Sequence, residues 1–186
     1  MFTRRKTIVT VAVAATVATI ALFAATGASA GDDTGYKLEG VWVAKVQGSP
    51  VQWTYTLSPD PSGRRAALTG FIQVGVKPAL LGIFTDTEFT SPIVGELVMR
   101  ADGVTVFNSV WYGMKAGFPF DEIVYIGMNS GEARRTADNK AEGTHNIAYY
   151  DPSSDQDGDG LPDPGAVPVL VLPVTTVDTR LPLSPP

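Results

Sequence analysis

Gln52-Trp53-Thr54-Tyr55-Thr56-Leu57 alternates without a break between polar and large apolar residues. In an extended chain Trp53, Tyr55 and Leu57 share one face and Gln52, Thr54 and Thr56 the other, because successive strand side chains point to opposite sides. A helix over the same residues would scatter the three apolar groups around its axis. The segment therefore predicts a β-strand with one packed face.

Working outward, the same signal recurs. Strands are expected at 38–46, 66–74, 93–100, 104–112, 122–128, 132–138, 143–150 and 167–172, and no helical periodicity of useful length follows residue 30. Turn-forming residues separate them: Gly48-Ser49-Pro50, the run Ser58 to Gly63, Ala101-Asp102-Gly103 and Asn129-Ser130-Gly131. Asp102-Gly103 and Ser130-Gly131 each predict a hairpin turn. Short strands in hairpin succession make an all-β meander. The expected fold is an antiparallel up-and-down barrel of about eight strands, with a β-sandwich as the alternative. Closure leaves no exposed sheet edge, which favours the barrel. Ile93-Val94-Gly95-Glu96-Leu97-Val98 is apolar on both faces, as in a strand that is buried on both sides or lines a cavity. Residues 76–81 read as a short helix or loop and Phe84 to Pro92 as an excursion. Pro168 and Pro173 bracket Val169 to Leu172 and allow it only a short edge strand, ahead of an extended tail from Leu181 to Pro186.

The N-terminus carries the three parts of a secretory signal. Arg4, Arg5 and Lys6 are charged, the stretch from Ile8 to Ala25 is uncharged and apolar, and Ala28-Ser29-Ala30 supplies small residues for cleavage. An uncleaved anchor is the alternative, since roughly 18 apolar residues just span a bilayer, but the small-residue site directly after the run argues for cleavage. Thr3-Arg4-Arg5 begins a twin-arginine pattern that Thr7 and Ile8 do not continue. The chain thus divides into a signal peptide at 1–30, a β-barrel domain at 31–150, an acidic loop at 151–165 and a Pro-rich strand and tail at 166–186. A secreted or periplasmic product follows, with no membrane association after cleavage. Of 14 basic residues three leave with the signal, so 11 face 19 acidic ones, a net charge of −8. Nucleic acid is a poor partner for such a surface, because phosphates need Lys and Arg. The absence of cysteine excludes a disulfide scaffold, a thiol nucleophile and a Cys-ligated zinc site.

One motif carries metal chemistry: Asp155-Gln156-Asp157-Gly158-Asp159-Gly160-Leu161-Pro162-Asp163. Calcium takes six to eight hard oxygens, and a loop delivers them from alternate residues. Asp155, Asp157 and Asp159 hold the first, third and fifth positions, Gly160 permits the turn at the sixth, the Leu161 carbonyl is the seventh and Asp163 the ninth. The carboxylates of residues 151, 155, 157, 159 and 163 repel one another unless a cation neutralises them. The segment resembles the D-x-D-x-D-G calcium loops of thrombospondin type 3 repeats, dockerins and EF-hands, the thrombospondin form most of all. Position twelve is Ala166 where an EF-hand has a bidentate Glu, and Pro162 and Pro164 forbid the flanking helix. A closing carboxylate must come from elsewhere, with Asp151 and Glu142 nearest in sequence. The expected cofactor is a structural calcium ion.

Other groups speak less clearly. His145, the single histidine, is either a general base or a hydrogen-bonded strand residue. Glu96, Asp121 and Glu122 could supply a carboxylate pair, though solvated charges are the commoner outcome. Ser109 and Ser130 lack a G-x-S-x-G setting. No catalytic set emerges. Aromatic residues recur on most of the expected strands, Phe118 and Phe120 among them, and Phe107 and Trp111 share one strand face while Tyr112 leaves from the other. Trp53, Tyr55, Phe107 and Trp111 are therefore the expected lining of a ligand pocket. Gly40-Val41-Trp42 resembles the G-x-W that opens lipocalins, with Arg180 in place of the arginine that packs on that tryptophan. The family's helix before the last strand is not evident.

The sequence thus reads as a secreted, non-catalytic β-barrel that binds a small apolar or carbohydrate ligand and carries a structural calcium site. Two alternatives stand beside it. One is a barrel hydrolase or isomerase using His145 beside Glu122 or Glu96. The other is a calcium-dependent surface-interaction protein.

Overall fold

The computed structural model describes residues 38–75, 82–118 and 120–182. The signal segment, the stretch 76–81 and the end of the tail lie outside the described residues.

Nine strands are present: β1 (Gly40–Val46), β2 (Gln52–Pro59), β3 (Arg65–Val74), β4 (Phe89–Thr90), β5 (Ile93–Met99), β6 (Val104–Lys115), β7 (Glu122–Ala137), β8 (Lys140–Tyr150) and β9 (Leu170–Arg180). Eight of them close an antiparallel ring in sequence order, β1-β2-β3-β5-β6-β7-β8-β9, and β9 returns to β1. β4 stands outside the ring, paired to β6 through Phe89 opposite Met114 and Thr90 opposite Gly113. This is the expected up-and-down barrel, and the segment from Phe84 to Pro92 is the expected excursion.

Antiparallel order sorts the connections between two ends. One end holds the tight turns at 60–64, 100–103 and 138–139 together with Gly40 and Arg180. The other collects the loop 47–51, the described segment 82–92 that carries β4, the described residues between β6 and β7, and the loop 151–169. The Asp102-Gly103 turn forms as expected: Gly103 adopts φ +76°, and Asp102 Oδ1 accepts the Val104 N–H at 3.1 Å.

Period-2 alternation fills the interior. Trp42, Ala44 and Val46 of β1, Trp53, Tyr55 and Leu57 of β2, and Phe107, Ser109 and Trp111 of β6 are all buried and face inward. Large and small groups oppose one another across strands, as a narrow barrel requires.

Three expectations are corrected. Asn129-Ser130-Gly131 is not a turn, because β7 runs unbroken for 16 residues through it. Gly131 lies between Phe107 of β6 and His145 of β8 in the register, and a Cβ there would come 2.9 Å from Phe107 Cζ and collide with the Thr144 carbonyl. The residue is glycine to admit an aromatic ring, not to reverse the chain. The last strand is likewise not a short edge, since β9 spans 11 residues and pairs on both sides. Pro173 is tolerated because Thr175, with the same parity, points its carbonyl toward β1, where Gln47 N–H donates to it at 2.9 Å. The position of the N–H that Pro173 lacks therefore also faces the β1 side, beyond the point where β1 ends at Val46. Finally, Phe118 and Phe120 lie on the loop between β6 and β7 rather than on a strand, and they are 99% and 83% exposed.

Candidate functional site

The barrel interior holds a cavity of about 60 Å³. Trp53, Tyr55, Phe107 and Trp111, the four residues expected to line a pocket, all line it. Trp42 does so too, stacked on Tyr55 with ring centres 6.4 Å apart and planes 8° from parallel. Every tryptophan of the chain therefore faces the same space.

A polar strip crosses this aromatic wall. His145 projects inward from β8 and is 5% exposed. Its Nδ1 lies 3.1 Å from Asn129 Oδ1 and its Nε2 2.9 Å from Thr176 Oγ1. With Asn129 Oδ1 as acceptor, Nδ1 carries the ring proton, a tautomer assigned from the network. The Thr176 hydroxyl then donates to Nε2. The ring of Trp53 meets the imidazole edge-on at 5.2 Å, and Phe107 approaches it at 4.6 Å. Desolvation by this shell lowers the imidazole pKa to about 4, so His145 is neutral near pH 7. Both of its nitrogens are engaged, which leaves none free to take a substrate proton.

The strip continues to Asp178 on β9, 3% exposed. Tyr55 Oη donates to Asp178 Oδ2 at 2.6 Å. Burial raises the Asp178 carboxyl above its ordinary range, against the pull of the hydrogen bond from Tyr55. Oδ1 has no hydrogen-bond partner among the described residues. The acids nominated beside His145 are elsewhere: Glu96 and Glu122 are exposed, outside the cavity lining. Asp178 is the carboxyl that shares the interior with His145. Sequence reading passed over Asp178, Asn129 and Thr176. Their signal was present in Thr176-Val177-Asp178-Thr179, whose alternation continues β9 with a polar residue at each inward step.

Arg180 is the register partner of Trp42 across β1 and β9. Gly40, at φ +122°, makes way for the Arg180 guanidinium, since a Cβ there would lie 2.8 Å from Nε.

The acidic loop lies at the other end of the barrel, over the outer wall. Asp155, Asp157 and Asp159 each present a carboxylate oxygen within 4.8 Å of the others. Backbone N–H groups orient them: Gly158 and Gly160 donate to Asp155 at 2.9 and 3.0 Å, Asp159 to Asp157 at 3.2 Å, and Leu161 to Asp159 at 2.8 Å. Gly160 adopts φ +87°, the tight turn expected at the sixth position. Asp163 stands outside this trio and closes the base of the loop, its N–H bonded to the Ser154 carbonyl at 2.7 Å and Oδ2 accepting from Gln156 N–H at 3.2 Å. Neither nominated closing carboxylate joins them. Asp151 caps the 3-10 turn Pro152–Ser154, accepting from the Ser153 N–H and hydroxyl at 2.9 and 2.7 Å. Glu142 sits near the 138–139 turn, at the opposite end of the barrel.

Tyr112, which leaves β6 on the outer face, ties this loop to the wall by donating to the Gly160 carbonyl at 3.0 Å. Burial, and then the charges of Asp155 and Asp159, push its phenol pKa up. In register beside Tyr112 and Tyr150 lies Ile126, buried on the outer face where the 3-10 turn packs against β7. The two-faced aromatic pattern of β6 thus serves the cavity on one side and the loop on the other.

No protein-family model matches the chain, and neither a curated protein nor a solved structure matches it.

Proposed function

We propose that this chain is an exported, non-catalytic binding protein whose barrel takes up a small apolar or carbohydrate ligand and whose acidic loop holds a structural calcium ion. The observation that carries the reading is the cavity itself: aromatic walls interrupted by a few fixed polar groups, the usual make-up of a small-molecule site. Gly40 and Trp42 with Arg180 across from them favour a lipocalin-like closure, although the connection from β8 to β9 has a 3-10 turn where lipocalins carry a helix. The three converging aspartates supply the hard oxygens that calcium prefers, and the ion would relieve their mutual repulsion. Export rests on the N-terminal sequence, and intact mass of the protein recovered outside the cytoplasm tests it, with Gly31 as the expected first residue.

An enzymatic reading would lean on His145 and Asp178 sharing the interior, but the imidazole has no free nitrogen and Thr176 separates it from the carboxyl. Because all tryptophans face the cavity, intrinsic fluorescence reports its filling. Titrating the purified protein with 2-phenylethanol and with glucose is expected to give a saturable change for at least one. A linear response to both would reduce the interior to packing and remove the proposal.

A further inference from the structure

The β6–β7 hairpin reaches past the strands beside it. The last pair between β7 and β8 is Ile126 with Tyr150, and the last between β5 and β6 is Val94 with Val110. Beyond those pairs the two strands pair, among the described residues, with each other and with the two residues of β4. Phe89, Met114 and Ile123 stand opposite one another across β4, β6 and β7. Met114 lies two residues past Tyr112, so this apolar row is on the outer face, and Phe89 and Ile123 are both exposed. Phe118 and Phe120 then follow at the tip, almost entirely bare. The loop that carries them is fixed at its base. Ala116 N–H donates to Glu88 Oε2 at 3.2 Å, Gly117 N–H donates to Asp121 Oδ1 at 3.3 Å, and Lys115 pairs with Asp86 at 3.1 Å. A Cβ on Gly117 would lie 2.4 Å from the Phe120 carbonyl oxygen, so glycine lets the two sides of the loop close.

Large apolar side chains left bare together mark a contact surface. Shape and charge select what covers this one. The tip is convex, and a polypeptide partner would need a pocket cut to both rings, whereas the interface of a bilayer yields around them. Asp86, Glu88, Asp121 and Glu122 ring the base of the tip with Lys115 as the cation among them, four acids against one base, a net charge of −3. That charge repels a second copy of the same tip, and it repels anionic lipid. Zwitterionic phospholipids instead present an ammonium group outermost, which complements the carboxylates, and aromatic faces attract the quaternary ammonium of choline. Such docking is peripheral. It needs no spanning segment and so is compatible with removal of the signal.

We propose that the β6–β7 tip docks the protein on a zwitterionic phospholipid bilayer, Phe118 and Phe120 entering the interface while the surrounding carboxylates face choline groups. Co-sedimentation of the exported, purified protein with phosphatidylcholine vesicles tests it. Binding is expected, and Phe118→Ser and Phe120→Ser are each expected to weaken it by about tenfold or more. Both side chains are already solvated, so neither change should move the unfolding midpoint. Leu181→Ser removes an exposed apolar group at the opposite end of the barrel and is expected to leave binding unchanged. Replacing about a third of the phosphatidylcholine with phosphatidylglycerol is expected to weaken binding by about threefold or more. Failure to sediment with phosphatidylcholine, binding that survives the double Phe→Ser substitution, or binding strengthened by phosphatidylglycerol would each overturn the proposal. Sedimentation equilibrium without lipid supplies the remaining comparison. Self-association lost in Phe118→Ser, in place of vesicle binding, would give the surface to a second copy of the chain and overturn the bilayer assignment.

Discussion

Tyr55 on β2 and Asp178 on β9 are joined by a 2.6 Å hydrogen bond that spans β1, the strand between them. The bond lies at the seam where the last strand meets the first, so it couples ring closure to the polar strip of the interior. Tyr55→Phe keeps the ring and removes the donor, leaving Asp178 Oδ2 without this bond. Stability is expected to fall by about 1–3 kcal/mol, the cost of a buried polar group left unsatisfied, as measured by urea unfolding at pH 7.

His145 governs the acid limb of the stability curve. Its folded pKa, about 4, lies below the ordinary 6.5, because desolvation penalises the imidazolium. As pH falls from 6.5 toward 4 the unfolded chain takes a proton that the native protein refuses, so stability is lost across that window and the loss stops below it. The drop attributable to this residue is about 3 kcal/mol. His145→Gln is expected to be flatter than the wild type between pH 7 and 4. Being the single histidine, His145 is also directly readable by proton NMR. A midpoint near 6.5 would contradict its burial.

Gly131 allows a sharper steric test. A methyl group there meets the Phe107 ring and the Thr144 carbonyl. Gly131→Ala is expected to destabilise by about 1–3 kcal/mol through overpacking, with loss of near-UV ellipticity from the displaced aromatic ring. A neutral or stabilising effect would contradict the crowding of Gly131 by Phe107 and the Thr144 carbonyl.

The acidic loop makes a thermal prediction. Calcium at a hundredfold excess over Kd adds about 2.7 kcal/mol to the stability of a protein that binds it only when folded. For a domain of this size the unfolding midpoint should rise by roughly 5–10 °C. Excess chelator should reverse the rise, and Asp157→Ala should abolish it. Tyr112→Phe, which releases the Gly160 carbonyl from the wall, should weaken the calcium dependence without removing it. An unchanged midpoint would make 151–163 a solvated turn.

The barrel was legible in the sequence because alternation of the kind seen from Gln52 to Leu57 depends on local chain geometry alone. Failures came where a residue's role is set by what stands across the sheet. Gly131 looks like a turn former until Phe107 and His145 are known to flank it. Pro173 looks like a strand terminator until its missing N–H is seen to face beyond the end of β1. Having ended that strand at Leu172, the sequence reading could not place Asp178 inside the barrel. It therefore found the aromatic walls of the cavity and missed the polar strip that crosses them. The clustering of the acidic loop was legible for the same local reason, since Asp155, Asp157 and Asp159 lie within one short segment. Its mooring to Tyr112 joins residues 48 positions apart and left no local trace.

The central claim is that the barrel interior is a binding site rather than a packed core. A crystal structure of the purified protein grown with 2-phenylethanol tests it most directly. The account predicts electron density for one ring among Trp53, Phe107 and Trp111, with the barrel strands unmoved. An interior containing only protein side chains and ordered water, at a ligand concentration well above millimolar, would contradict it.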